Sequence, residues 1–463
     1  MVHQKIEDYP TFVKNAINYI KHNSEKNKNS MKKIEEILSD LTEYLKENKP
    51  KYLYNQSFIP GKSQVLYSGP YWDEQEIMAA ITTFITGKWV VAGENVHKFE
   101  SAFAKMFGAK YAHMVNSGSS ANLVLIAGLK KHFGWEDGDE VIVSPVGFPT
   151  TISTLVQNNL VPVFIDIEYD TLNFDIHKIE EKITSKTKAI FVSPVLGNAP
   201  DMDFLTELCQ RHNIKLVGDS CDSLGSKWDG KDLSSYYVAW SSSFYPAHHI
   251  STGEGGMVCT DIADLKKLFM SLSWWGRDCH CVGSANLLSC GTCGNRFDKW
   301  LESYDGIIDH KYVFTNMGYN LKPMDLQGSI GLVQLTRFAE IDAKRKHSKK
   351  TIESILLKYV DNLKGVEMLD KADTCWFGTP FICESKELKD KLVAFLEENK
   401  IQTRNYFAGN ILMHPGYKHL DDLKKYPNAN QVLDKVFFLG AAPHYEDVVF
   451  EYVENVFKDK WKN

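Results

Sequence analysis

Four of the nine cysteines, Cys279, Cys281, Cys290 and Cys293, crowd into one short stretch, and a fifth, Cys221, stands upstream with 57 intervening residues before Cys279. Thiolates suit zinc and iron–sulfur clusters. A zinc ribbon shows two Cys-x-x-Cys pairs, and only Cys290 and Cys293 have that spacing. Unmetallated thiols satisfy the same pattern. A second group lies near Asp219, which ends the apolar run Lys215-Leu216-Val217-Gly218. An acid at the carboxyl end of a parallel strand faces the usual ligand crevice. It could hold a protonated ring nitrogen, as pyridoxal chemistry requires, or cap the next segment.

Two further stretches have phosphate chemistry. Asn116-Ser117-Gly118-Ser119-Ser120-Ala121-Asn122 follows a strand pattern and opens a helical one. Free amides and the positive end of a helix attract phosphate there, although an ordinary N-capping turn has the same composition. Ser243-Phe244-Tyr245-Pro246-Ala247-His248-His249-Ile250 is followed by Gly253-Glu254-Gly255-Gly256. Ser243 could donate to a phosphate, and the glycines suit a backbone bent around a ligand. Paired histidines are also common surface or core features.

These residues need a scaffold, and the composition supplies one. The 463 residues are 43% hydrophobic and 12% aromatic, enough for a large core and against wholesale disorder. Length predicts about three domains, or one large α/β unit with a smaller one. Fifty-three basic and 59 acidic residues give a net charge of −6, against a nucleic-acid binder. No apolar run reaches the length of a membrane-spanning helix, about 18 residues. The start, Met1-Val2-His3-Gln4-Lys5-Ile6-Glu7-Asp8, lacks the apolar centre of a signal peptide. The cytoplasm is therefore the expected compartment, where a disulfide framework is disfavoured.

Residues 8–48 show helical apolar spacing and predict two surface helices joined by a polar stretch. From about residue 60, strand patterns at 111–115, 140–144, 161–165, 189–192 and 215–218 alternate with helical ones at 119–131, 150–157, 176–183 and 202–211. That alternation predicts an α/β domain on a mostly parallel sheet. Two more strands are expected at 238–244 and 255–260. Residues 276–322 read as irregular. A long helix, with a possible break, is expected from Asp325 to Leu363, and the remainder reads as a smaller α+β domain. The expected division is 1–60, a helical extension; 61–335, the large domain with the cysteine loop; and 336–463, the small domain.

Taken together, these motifs resemble the aspartate aminotransferase (type I pyridoxal phosphate) fold and, within it, the DegT/DnrJ/EryC1/StrS family of sugar aminotransferases and dehydratases. Gly147-Phe148-Pro149-Thr150-Thr151, Leu196-Gly197-Asn198 and Gly318-Tyr319-Asn320-Leu321-Lys322 add to the likeness. In the aminotransferases of that family a lysine five positions after the Ser-Phe motif binds the cofactor covalently; here that position is His248, the signature of the 3-dehydratase branch. One type of 3-dehydratase has no metal cluster. Another carries a [2Fe–2S] cluster in 3,6-dideoxyhexose biosynthesis, and Cys221, Cys279 and Cys281 match its spacing. The flanks of Cys293 match its fourth ligand, but the gap from Cys281 is longer than in the family, and Cys290 is the alternative.

The resemblance implies pyridoxamine 5′-phosphate (the amine form of pyridoxal phosphate) as a dissociable cofactor and a nucleotide-linked 4-keto-6-deoxyhexose as substrate, CDP favoured. His248 would be the base, and the C3 hydroxyl would leave from the sugar joined to the cofactor's amine. The cluster would then deliver electrons singly from an NADH-dependent flavin/iron–sulfur reductase, a ferredoxin or a flavodoxin. Phe148 would stack on the ring, and Asp219 would pair with its nitrogen. Asp222 would lie near its 3-oxygen. Gly118, Ser119, Ser120 and Ser243 would hold the phosphate, with Asn320 reaching across a homodimer. Arg404 resembles a substrate contact. The alternatives are a cluster-free 3-dehydratase, a sugar aminotransferase, or a silent sugar-nucleotide binder.

Overall fold

Seven runs of four to six residues form one sheet: β1 (Tyr111–Val115), β2 (Glu140–Val143), β3 (Val161–Phe164), β4 (Thr187–Val192), β5 (Lys215–Asp219), β6 (Ala239–Ser243) and β7 (Gly256–Thr260). The structure, a computed structural model, describes residues 34–49, 58–279, 297 and 301–462. The strand order is β1-β7-β6-β5-β4-β2-β3. Neighbours from β6 to β3 pair in parallel, while β7 runs antiparallel to both β1 and β6.

The apolar runs have a physical reason. Parallel strands joined by crossover helices are covered on both faces, so both side-chain sets must be apolar. In β2, Val141 and Val143 join the core that contains Val124, Leu155 and Phe269. Ile142, between them, joins the opposite core with Phe99, Phe103 and Leu205. The helices Gly118–Phe133 and Glu94–Met106 cover these two faces.

The second unit is a four-stranded antiparallel sheet of β8 (Leu363–Gly365), β9 (Gly378–Cys383), β10 (Arg404–Asn405) and β11 (Val436–Gly440), in the order β8-β9-β11-β10. Helices Lys386–Glu398 and Asp447–Lys460 bury Leu392, Leu396, Val453 and Phe457 with it.

One helix, Asp325–Tyr359, serves both units without a break. Leu335 packs into the large core, and Ile352, Ile355 and Leu356 pack into the small one. The division expected at 335/336 therefore falls inside a continuous helix rather than in a linker. Helical structure expected at 176–183 is two 3-10 turns, Ile176–Lys178 and Glu180–Lys182. The three-residue spacing of buried Ile176 and Ile179 fits a 3-10 repeat as well as an α one. Of the two N-terminal helices expected, Ile34–Glu47 is described; the first lies outside the described residues. Among the described residues no helix is long and apolar enough to cross a membrane.

Candidate active site

The strand order brings the ends of β1, β5 and β6 to one side of the sheet, where a cavity of about 660 Å³ opens towards the small unit. Ser117, Gly118 and Ser119, which follow β1, and the last residues of β5 and β6 form one wall; Phe377, Arg404 and Phe407 form the other. Carboxyl ends of parallel strands are the expected crevice in such folds.

After β1, Ser117 caps the helix Gly118–Phe133, its Oγ accepting from the Ser120 amide at 3.1 Å. The first helical amides are thereby left facing the cavity, where Gly118 and Ser119 line it. Gly118 is sterically required: a Cβ there would stand 2.3 Å from Ser243 Cβ. The two backbones form a cradle that a side chain would fill.

At the end of β5, Asp219 is buried and held from three directions. Its Oδ2 accepts from Asn122 Nδ2 and Thr151 Oγ1, both at 2.7 Å, and its Oδ1 accepts from the Cys221 amide at 3.3 Å. Asn122 is itself fixed by Ser241 Oγ donating to its Oδ1 at 2.5 Å. A network of this kind orients a carboxylate more firmly than any one bond.

His248 enters from the loop after β6. Its Nδ1 lies 3.6 Å from Asp222 Oδ1, and the Phe377 ring lies 5.1 Å from the imidazole, centroid to centroid. Burial first, then the Arg345 guanidinium, pushes the imidazole down to about 3. Burial and the Asp219 carboxylate push Asp222 up to about 8. Both groups are thus neutral near pH 7, and their contact is not an ion pair. The unprotonated imidazole is the form that can accept a proton.

Asp222 is placed by the loop after β4. Leu196, at φ +53°, and Gly197, at φ +96°, turn the Leu196 amide towards Asp222 Oδ2 at 3.4 Å. A Cβ on Gly197 would meet Cys375 O at 2.8 Å.

Gly118, Ser119, Phe148, Asp219, Cys221, Asp222, Ser243, His248 and Arg404 therefore line one cavity. Phe148, half exposed, approaches Phe407 edge-on at 6.1 Å. Arg404 lies 4.0 Å above the Tyr67 ring. Ser120 does not line the cavity and instead completes the helix cap. Asn320 lies outside it, exposed and bridged to Trp274.

Sequence reasoning missed Tyr67, Ser193, Glu254 and Phe377 as lining residues. It also missed the support of Asp219 by Thr151 and Asn122, although both sit in motifs already singled out.

Of the cysteines, Cys221 lines the cavity, and burial pushes its thiol well up. Cys279 is buried and is not a lining residue. Cys281, Cys290 and Cys293 lie outside the described residues. Among the described residues no three His, Cys, Asp or Glu side chains are grouped to hold a metal ion.

The features of the cavity fit a pyridoxal-type cofactor. It offers a cradle closed to any Cβ for the phosphate, a fixed buried carboxylate for the ring nitrogen, and an aromatic ring at the side. No lysine lines it among the described residues.

Comparison with known proteins agrees with the fold and the cofactor class. The model of the DegT/DnrJ/EryC1/StrS aminotransferase family matches residues 72–458. The dTDP-4-dehydro-2,6-dideoxy-D-glucose 3-dehydratase of Saccharopolyspora spinosa is 36% identical over 428 residues, which cover 90% of each chain. The lipopolysaccharide biosynthesis protein RfbH of Salmonella typhimurium is 34% identical over 410 residues, 87% of this chain and 93% of that one. The solved structure of E. coli GDP-4-keto-6-deoxy-D-mannose-3-dehydratase with bound hydrated PLP superposes with a TM-score of 0.74 at 28% identity, covering 85% of this chain and 99% of that one.

Proposed function

This chain belongs to the DegT/DnrJ/EryC1/StrS aminotransferase family, and we propose that within it the protein is a pyridoxamine-phosphate-dependent 3-dehydratase of a nucleotide-linked 4-keto-6-deoxyhexose. The carrying observation is that His248 and, among the described residues, no lysine stands in the cavity that holds Asp219 and the Gly118–Ser243 cradle. A lysine amine can bind the cofactor covalently; an imidazole cannot. Without that bond, Gly118, Ser119, Ser243 and Asp219 would hold the cofactor by its phosphate and ring alone, which would leave its amine available to a ketone.

When bound, the cofactor supplies an electron sink next to the sugar's C3–O bond. The residues around it do the rest. Gly118, Ser119 and Ser243 present amides and hydroxyls to the phosphate, as a helix N-terminus does for anions. Asp219 keeps a proton on the ring nitrogen. Phe148 covers one face of the ring. His248 accepts the proton from the cofactor's C4′ carbon, a task that needs its neutral form. Arg404 and Tyr67, stacked at the mouth, meet the nucleotide-bearing end of the substrate. Breaking the C3–O bond releases hydroxide, which leaves as water once protonated.

Complete 3-deoxygenation takes two further electrons. The reading assigns them to a [2Fe–2S] cluster on Cys221, Cys279, Cys281 and Cys293, with Cys290 as the alternative fourth ligand. Those thiolates would hold such a cluster, which would supply single-electron transfer, with an NADH-dependent flavin/iron–sulfur reductase, a ferredoxin or a flavodoxin as the donor. The sequence spacing supports Cys221, Cys279 and Cys281, and the flanking residues support Cys293. Relatives named for dTDP and GDP sugars show that the family takes several nucleotides; CDP is favoured here by the cysteine pattern. The protein would act in the cytoplasm as a homodimer, with Asn320 serving the partner's cavity.

Iron and acid-labile sulfide, measured on anaerobically purified protein and on Cys279→Ser, test the cluster. About two of each per chain, lost in the variant, are expected. Their absence from the wild type would leave the cluster-free 3-dehydratase as the reading.

A further inference from the structure

The buried polar groups outside the cavity point to Arg345, on the helix shared by both units. Its side chain is 1% exposed. Among the described residues no carboxylate lies within salt-bridge distance of it. Instead its guanidinium donates to four backbone carbonyls from two segments. Nη2 reaches His248 O at 2.9 Å and Ala247 O at 3.3 Å; Nη1 reaches Phe377 O at 3.1 Å and Trp376 O at 3.3 Å. Burying a charge without a counter-ion is costly, and an apolar side chain would fill the space at less expense. The arrangement makes sense for what it holds.

What it holds is the proposed base. From Arg345 a closed circuit of contacts surrounds the His248 imidazole. The Phe377 carbonyl is clamped by Arg345, and the Phe377 ring packs on the imidazole. The Phe377 amide donates to Leu196 O at 3.1 Å. The Leu196 amide faces Asp222, and Asp222 faces His248 Nδ1. The neighbouring residue repeats the link, His249 bonding Cys375 O through Nε2 at 2.8 Å. Two segments from different units are thus fastened on either side of one ring, and the fastening is a single planar fork with five donors.

We propose that Arg345 is the positioning residue of His248, fixing the imidazole against Asp222 and Phe377 by clamping the backbone of both flanking segments. This rests on the role given to His248 above. Lysine keeps the charge but is a point donor on a flexible stem and cannot span both carbonyl pairs.

The test uses the full-length chain as Arg345→Lys. Ser348→Ala serves as control, because Ser348 sits in the same helix and its hydroxyl donates to Ala442 O at 2.9 Å, away from the His248 segment. The first readout is a crystal structure of the apoprotein. In Arg345→Lys the His248 ring is expected to leave its contact with Asp222 or to lose order, and in Ser348→Ala it is expected to stay. The second readout is the rate of cofactor-dependent exchange of the sugar's C3 oxygen with isotope-labelled water, which needs no electron donor. A loss of about 100-fold in kcat, with KM and cofactor affinity within about threefold, is expected for Arg345→Lys, because a displacement near 1 Å costs that much.

An unmoved ring in Arg345→Lys overturns the proposal. So does a kcat loss no larger than that of Ser348→Ala. If the wild type itself does not exchange the C3 oxygen, the functional reading fails, while the ring position still decides the role of Arg345.

Discussion

His248 Nδ1 stands 3.6 Å from Asp222 Oδ1, and both groups are neutral near pH 7. A neutral contact has a consequence that an ion pair would not. Asparagine at 222 can offer the imidazole a similar polar neighbour, whereas alanine removes it. Asp222→Asn should retain dehydration activity to within about fivefold, the scale of one weak polar contact. Asp222→Ala should lose more. Comparing kcat for the two variants checks the assignment, and equal large losses in both would mean that Asp222 works as a carboxylate.

Position 248 decides which chemistry the cavity performs. His248→Lys restores an amine beside the cofactor site. With pyridoxal phosphate, borohydride treatment should then attach the cofactor to the chain, as seen by intact-protein mass. The wild type should remain unmodified at that residue. Dehydration should fall by at least about 100-fold, the scale of a lost general base.

Asp219→Asn keeps the shape of the Asp219 network but removes its charge. The ring nitrogen would then lose the group that holds its proton. A fall of roughly 100- to 1000-fold in kcat is expected, on the scale of other charge-stabilising groups. Thr151→Ala and Asn122→Ala should each produce a smaller fall, since Asp219 Oδ2 accepts from both.

The Gly118–Ser243 contact makes a steric prediction. Gly118→Ala places a Cβ 2.3 Å from Ser243 Cβ. Overpacking of this kind costs about 1–3 kcal/mol. The melting temperature should drop, and pyridoxamine phosphate affinity, followed by fluorescence titration, should weaken at least tenfold. Unchanged affinity would place the phosphate elsewhere.

Acid stability should reflect Glu100, buried beneath β1. Burial raises its carboxyl, but the His113 imidazole at 3.2 Å, the nearby His97 ring and the Met114 amide, which donates to it at 2.8 Å, more than offset this and bring it down to about 2. The folded-state value lies below the unfolded one, so its contribution is fully present above about pH 4.5 and is lost as pH falls towards 2. The gap corresponds to about 3 kcal/mol. Glu100→Gln should lower stability at pH 7 by about that amount and flatten the acid limb of a denaturation-versus-pH curve.

The fold was legible because parallel strands buried on both faces leave uninterrupted apolar runs. Every run from Tyr111–Val115 to Gly256–Thr260 could be found within a residue or two. Asp219, at a strand's end, and the Ser117–Gly118 turn were legible for a similar reason, because local signals mark strand ends and helix starts. Arg345 was not. It lies in Ala343-Lys344-Arg345-Lys346-His347-Ser348-Lys349-Lys350, which reads as a solvated basic face, and only the tertiary fold buries it. Phe377 and Tyr67 enter the cavity from segments remote in sequence, so no local pattern marks them. The expected boundary at 335/336 falls inside the helix Asp325–Tyr359 because one helix feeds two cores, and amphipathic spacing does not say which core an apolar residue joins.

The central claim is that this cavity breaks the sugar's C3–O bond with a free amine cofactor and His248 as base. Exchange of the C3 oxygen with isotope-labelled water tests it without any electron donor. The protein is incubated with pyridoxamine phosphate and a CDP-linked 4-keto-6-deoxyhexose, the C4 ketone is washed back in unlabelled water and reduced with borohydride, and the label left in the sugar is located by fragment mass spectrometry. Label at C3 that depends on the cofactor, and is lost in His248→Asn, is the predicted result. No label in the wild type, over dTDP, GDP and UDP sugars as well, or equal label in His248→Asn, would contradict the account.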